Sequence, residues 1–150
     1  MANLLSKEAE TLGLNFKVVD LIDFRMEDPS ILQQNDVKIF ILATHGEGEP
    51  TNNAQIFYSW MQKAIKNNDK DLVKGYITVF GLGDSQYEKF NKMGKDSHKF
   101  LLALGGTEAF KYGESDHEYG TADIVSKYFD PWKENLWEEL FKRYAQEGEV

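Results

Sequence analysis

Apolar positions along this chain switch repeatedly between a helical and an extended period. Leu4, Leu5, Ala9 and Leu12 share one helical stripe, and Gly13 suits the C-terminal cap behind it. Phe16-Lys17-Val18-Val19 predicts a short strand, and Asp23 to Ser30, with Pro29, a polar loop. Val37, Ile39, Phe40, Ile41 and Leu42 are nearly continuous, the pattern of a strand buried on both faces in a parallel sheet. A helix is predicted from about Asn53 to Lys66, with Phe57, Met61, Ala64 and Ile65 on one face. Tyr76 to Phe80 reads as the next buried strand. Phe90, Met93, Ser97, Phe100, Leu101 and Leu104 stripe another helix closed by Gly105-Gly106, and Thr107 to Tyr112 reads as a last strand. From Ala122 the chain is helical again, with Pro131 either kinking it or opening a second piece.

The resulting order, α-β-α-β-α-β-α, has connections short enough for parallel βαβ units. The expected fold class is α/β, a three-layer sandwich around a parallel sheet. No repeat or internal linker breaks the chain, so residues 1–150 are read as one domain. Ligands of such sheets bind in the crevice at the carboxyl ends of the strands. The loops after Leu42, Phe80 and Tyr112 are therefore where chemistry is expected.

Composition narrows what that chemistry can be. Cysteine is absent, which excludes disulfides, iron–sulfur clusters and thiol catalysis. His45, His98 and His117 lack metal-ligand spacing, so no metal site is expected. The formal net charge of −8 disfavours nucleic acid and anionic membrane and favours a basic protein face, although it also serves plain solubility. No apolar run is long enough to span a bilayer, and residues Met1 to Thr11 lack the features of a signal peptide. A cytoplasmic location without membrane contact by this segment is the expectation.

The first loop runs Ala43-Thr44-His45-Gly46-Glu47-Gly48-Glu49-Pro50-Thr51-Asn52-Asn53-Ala54. Its two glycines let the backbone approach a flat ligand, although Gly, Glu, Pro and Asn also build ordinary turns. The second runs Phe80-Gly81-Leu82-Gly83-Asp84-Ser85-Gln86-Tyr87-Glu88-Lys89-Phe90-Asn91. It lacks the third glycine of a dinucleotide fingerprint. Tyr87 either stacks on a planar ring or packs on the following helix. The third, Gly113-Glu114-Ser115-Asp116-His117-Glu118-Tyr119-Gly120-Thr121, reads as an acidic rim.

The first two loops resemble those of the FMN domain of the diflavin reductases, the family of the NADPH–cytochrome P-450 reductase type. The similarity runs from Ala2 to about Phe141. It implies a flavodoxin-like fold and one-electron relay. FMN would receive electrons from an FAD/NADPH-binding reductase module and pass them to the basic face of a haem protein such as a cytochrome. The chain would be part of an oxidoreductase and not a complete enzyme. A full-length anchored reductase would place it on the cytosolic face of the endoplasmic reticulum.

By the same resemblance the isoalloxazine ring lies between Ala43, Thr44, His45, Gly46, Glu47 and Gly48 on one side and Leu82, Gly83, Asp84, Tyr87, Phe90 and Asn91 on the other, with Asp116 nearby. Tyr87 is the implied stacking aromatic. His45 stands where the family usually carries tyrosine, and Asp84 where asparagine is common. The similarity begins within the helix that, in the family, follows a first strand and a Ser/Thr/Gly-rich phosphate loop. The expectation for this stretch alone is therefore weak FMN binding, by about 4.5 kcal/mol if three charged hydrogen bonds are lost. Gly120-Thr121 is only superficially like that loop. A sheet without the first strand would be closed by Phe16–Val19 pairing with Val37–Leu42, or filled by another chain, with self-association through the open sheet. The alternative reading is a cofactor-free fragment that acts only as a binding module or is inactive.

Overall fold

A computed structural model describes residues 1–34, 36–117 and 124–146. The expected helices form as α1 (Ala2–Thr11), α2 (Gln55–Lys66), α3 (Lys92–Ala103) and α4 (Asp130–Gln146). The buried apolar runs form β1 (Val37–His45) and β3 (Tyr76–Gly83), which pair in parallel from Val37 with Tyr76 to Ala43 with Leu82. A two-residue strand β2 (Glu49–Pro50) folds back antiparallel on the end of β1. Pro131 lies in the first turn of α4, behind a π-helical turn at Ile124–Phe129.

Side-chain alternation along the strands builds two apolar layers. Phe40, Leu42, Ile77 and Val79 face α2 and α3, where Phe57, Met61, Met93 and Leu101 are fully buried. Val37, Ile39, Ile41 and Phe80 face the other way, against Leu5 and Ala9 of α1 and Trp132, Leu136 and Leu140 of α4. The molecule is thus an α/β sandwich with helices on both faces of a mostly parallel sheet.

Two strand expectations require correction. Phe16–Val19 forms no strand. The Ser6 hydroxyl donates to the Phe16 carbonyl at 2.8 Å and the Phe16 ring lies against Trp137, but Val18 and Val19 are exposed. An extended run becomes a strand only where a neighbour offers backbone partners. Among the described residues, Val37–Ala43 is paired only on its β3 side, so Phe16–Val19 does not close the sheet.

The expected strand Thr107–Tyr112 is instead two, β4 (Thr107–Glu108) and β5 (Gly113–Asp116), both parallel to β3. Side chains take the carbonyls in between. The Thr78 hydroxyl donates to Phe110 O at 2.9 Å, and the Trp132 indole N–H donates to Lys111 O at 3.0 Å. The break delays the third loop: Gly113–Asp116, read as loop, continues the sheet and carries Ser115 and Asp116 to its end.

Candidate functional site

The carboxyl ends of β1, β3 and β5 come together, and side-chain hydrogen bonds pin their loops. The Thr44 hydroxyl accepts from the Met93 N–H at 2.9 Å, capping α3 and tying β1 to it. From β5, Asp116 accepts from the Ser85 N–H at 2.9 Å, and the Ser115 carbonyl accepts from Asn91 Nδ2 at 3.1 Å. His117 Nδ1 lies 3.1 Å from the Gly83 carbonyl. The second glycine loop is therefore held at three points, by Ser115 and Asp116 of β5 and by His117 just after it.

Glycine is required where these pieces touch. A Cβ on Gly83 would lie 2.5 Å from Asn91 Oδ1, and one on Gly81 would lie 2.4 Å from the Tyr112 hydroxyl. Gly48, at φ +96°, lies against Lys89 and Lys92, so the first loop leans on the second. Asn91 adopts a left-handed φ of 53° just before α3, a conformation asparagine tolerates better than most residues.

Between the loops is a cleft of about 220 Å³ lined by Ala43, Thr44, Gly46, Leu82, Gly83, Asp84, Tyr87, Lys89, Phe90, Asn91 and His117. Closed ligand pockets usually measure roughly 300–1,000 Å³. This slot suits a flat group inserted between its walls. Tyr87 belongs to its lining yet remains 52% exposed, an aromatic face available for stacking. Asn91 is fully buried, and its Oδ1 has no donor.

Nine of the expected residues line the slot; His45, Glu47, Gly48 and Asp116 do not. His45 is exposed at the end of β1, where strand alternation turns it opposite to Thr44. The Asp116 carboxylate is engaged by the Ser85 N–H. Lys89 and His117 line the slot without having been singled out. Because Gly113–Asp116 reads as loop in the sequence, no strand signal pointed to His117, which follows β5 directly. Glu118 and Gly120-Thr121 lie outside the described residues.

Behind the first loop is a charged cluster. The Tyr58 hydroxyl donates to Asp96 at 2.7 Å, and Lys92 Nζ bonds both Asp96 and, at 3.0 Å, the Tyr58 oxygen. The hydrogen bond from Lys92 to Asp96, helped by Tyr58, raises the ammonium above the ordinary lysine range. Burial raises the Tyr58 hydroxyl in turn, with Asp96 adding to it. Lys92 thus stays a fixed cation whose stem supports Gly48. Just before β5, burial and then Glu114 push the Tyr112 hydroxyl far above its usual value, leaving it a neutral wedge over Gly81 and Gly94.

The sequence pattern of the flavodoxin family matches residues 1–128. NADPH–cytochrome P-450 reductase of Sus scrofa is 37% identical over 149 residues, which is 98% of this chain and 21% of that protein. The Candida tropicalis reductase of the same name is 38% identical over 140 residues, 93% of this chain and 20% of that protein. The chain therefore spans about a fifth of the length of these curated relatives. Among solved structures, oxidised flavodoxin 1 from Bacillus cereus superposes with a TM-score of 0.67 at 20% identity, covering 93% of this chain and 86% of that one. A Streptococcus pneumonia flavodoxin gives 0.66 at 19% identity, covering 94% and 87%. At that identity the structural likeness establishes the fold alone. No helix among the described residues is long and apolar enough to cross a membrane.

Proposed function

The chain belongs to the flavodoxin family, and from that premise we propose that it is an FMN-binding electron-transfer domain. In this reading it takes electrons from an FAD/NADPH-binding reductase module and hands them to a haem protein through its acidic rim. The observation that carries the reading is the slot between the two glycine loops, with the Tyr87 ring as an exposed wall.

The residues present fit a flavin. Leu82, Phe90 and Ala43 give the slot apolar surface against which a ring can pack. Asn91 Oδ1, buried without a donor, suits a ligand N–H or hydroxyl. FMN, when bound, supplies one-electron chemistry. The protein supplies position and electrostatics. Tyr87 stacks, Asn91 accepts a hydrogen bond, and Thr44, by capping α3, keeps the first loop at a fixed distance from the second.

Flavin fluorescence titration tests the reading. Tyr87→Ala is expected to weaken FMN by about 1–3 kcal/mol, taking base–aromatic stacking as the guide. An unchanged dissociation constant removes Tyr87 from the site.

The second step, docking, is carried by Glu47, Glu114 and Asp116 around the strand ends. Charge reversal at any of them should slow reduction of a basic haem protein, chiefly through the association rate. The loss should shrink as salt rises, because the Debye length falls from about 30 Å at 0.01 M to about 8 Å at 0.15 M. Stopped-flow rates that drop equally at low and high salt would point instead to a changed flavin potential.

A further inference from the structure

His117 is a slot residue whose hydrogen bonding fixes its tautomer. The Gly83 carbonyl can only accept, so Nδ1 carries the hydrogen in the 3.1 Å contact. That holds whether the ring is neutral or protonated. Nε2 is then the one atom of His117 that gains or loses a proton, and the ring does so without letting go of Gly83. A positive charge can thus appear in the slot wall while the wall keeps its shape. The charged groups around it are Asp84 and Lys89, opposite in sign in the same wall, and Glu114 and Asp116 on β5, the latter engaged by the Ser85 N–H.

Resting on the FMN reading above, we propose that His117 is the specificity-determining residue for ligand charge: it couples the reduction of a ring held in this slot to solvent pH. When the ring gains two electrons from the reductant and one proton from solvent, one net negative charge stays on it; His117 Nε2 takes a second proton from solvent, and the imidazolium offsets that charge. At high pH the imidazole stays neutral and that offset is absent. We assign this coupling to His117 rather than to His45, which is exposed and outside the slot lining. The proposal thus separates the histidine that ends β1 from the one that follows β5.

The test is the two-electron midpoint potential of the FMN-saturated full chain, with dithionite as reductant and a reference dye. It is read from about pH 5 to 8, where imidazoles change charge. Wild type is compared with His117→Gln, which keeps an N–H donor for Gly83 but no titrating atom, and with His117→Lys, which keeps a permanent charge. An opposite charge within roughly 4–6 Å shifts a titration by about one to three units. Reduced FMN should accordingly bind about tenfold tighter to wild type than to His117→Gln at pH 5, a potential difference of about 30 mV. The gap should close by pH 8, and His117→Lys should stay at the high end throughout. His45→Gln should track wild type. Parallel lines for wild type and His117→Gln would overturn the proposal while leaving the FMN reading intact. A chain that binds no flavin at any concentration would overturn both.

Discussion

Phe80→Ala is expected to destabilise the chain by about 3–5 kcal/mol, the range for removing a fully buried phenylalanine. Small domains hold only roughly 5–15 kcal/mol in total, so this one change removes a large part of the stability. Phe80 has no exposed surface. Its ring meets Phe129 edge-on at 5.2 Å and Trp132 at 5.1 Å, joining β3 to the start of α4. Alanine would leave a void under two aromatic rings that their helix cannot follow inward: Trp132 is tied to Lys111 O and lies against Gly113. Urea unfolding followed by tryptophan fluorescence measures the loss. Phe80→Leu should fall between wild type and alanine. Ile56→Ala, on the 42% exposed side of α2, should stay within about 0.5 kcal/mol of wild type. A Phe80→Ala cost under about 1 kcal/mol would mean that α4 does not dock on the sheet as described.

Phe80 also shows how much of the molecule its sequence declares. Nearly continuous apolar residues along Val37–Leu42 and Tyr76–Phe80, broken only by Lys38 and Thr78, mark strands covered on both faces, so the centre of the fold was legible. The glycine runs that end those strands marked the site loops for the same reason: close approach of backbone to Asn91 and Tyr112 leaves no room for a Cβ at Gly83 and Gly81. What was not legible depended on partners distant in sequence. Phe16–Val19 has strand composition, yet nothing local tells whether a neighbour will offer backbone groups. The break between β4 and β5 is made by the Thr78 hydroxyl and the Trp132 indole, which compete with the ladder from 32 and 21 residues away. That Asp116 is engaged by the Ser85 N–H while His117 lines the slot was not legible either, because Gly113–Asp116 reads as loop in the sequence and the two partners lie 31 and 34 residues away.

Gly83→Ala should cost flavin affinity at least tenfold, and stability by about 1–3 kcal/mol as an overpacked buried site. The added methyl would sit 2.5 Å from Asn91 Oδ1, 2.7 Å from its Cγ and 3.1 Å from its backbone N. Asn91 cannot swing away. It is fully buried, its Nδ2 is bonded to the Ser115 carbonyl, and its backbone opens α3 in a left-handed turn. The strain therefore passes into the segment Asp84 to Phe90, which carries Tyr87 and the slot wall. Asn91→Gly removes the obstructing side chain and accepts the left-handed φ, at the cost of the Ser115 bond. The double variant Gly83→Ala/Asn91→Gly should then be more stable than the sum of the single changes by on the order of 1 kcal/mol, the mark of residues in direct contact. Gly46→Ala provides the comparison. Its φ of +48° costs an alanine roughly 1–2 kcal/mol, but a Cβ there meets nothing within 4 Å. It should add to Asn91→Gly without coupling. Thermal unfolding of the five variants, each with its FMN titration, settles the matter. If Gly83→Ala and Asn91→Gly simply add, the contact that shapes this slot lies elsewhere.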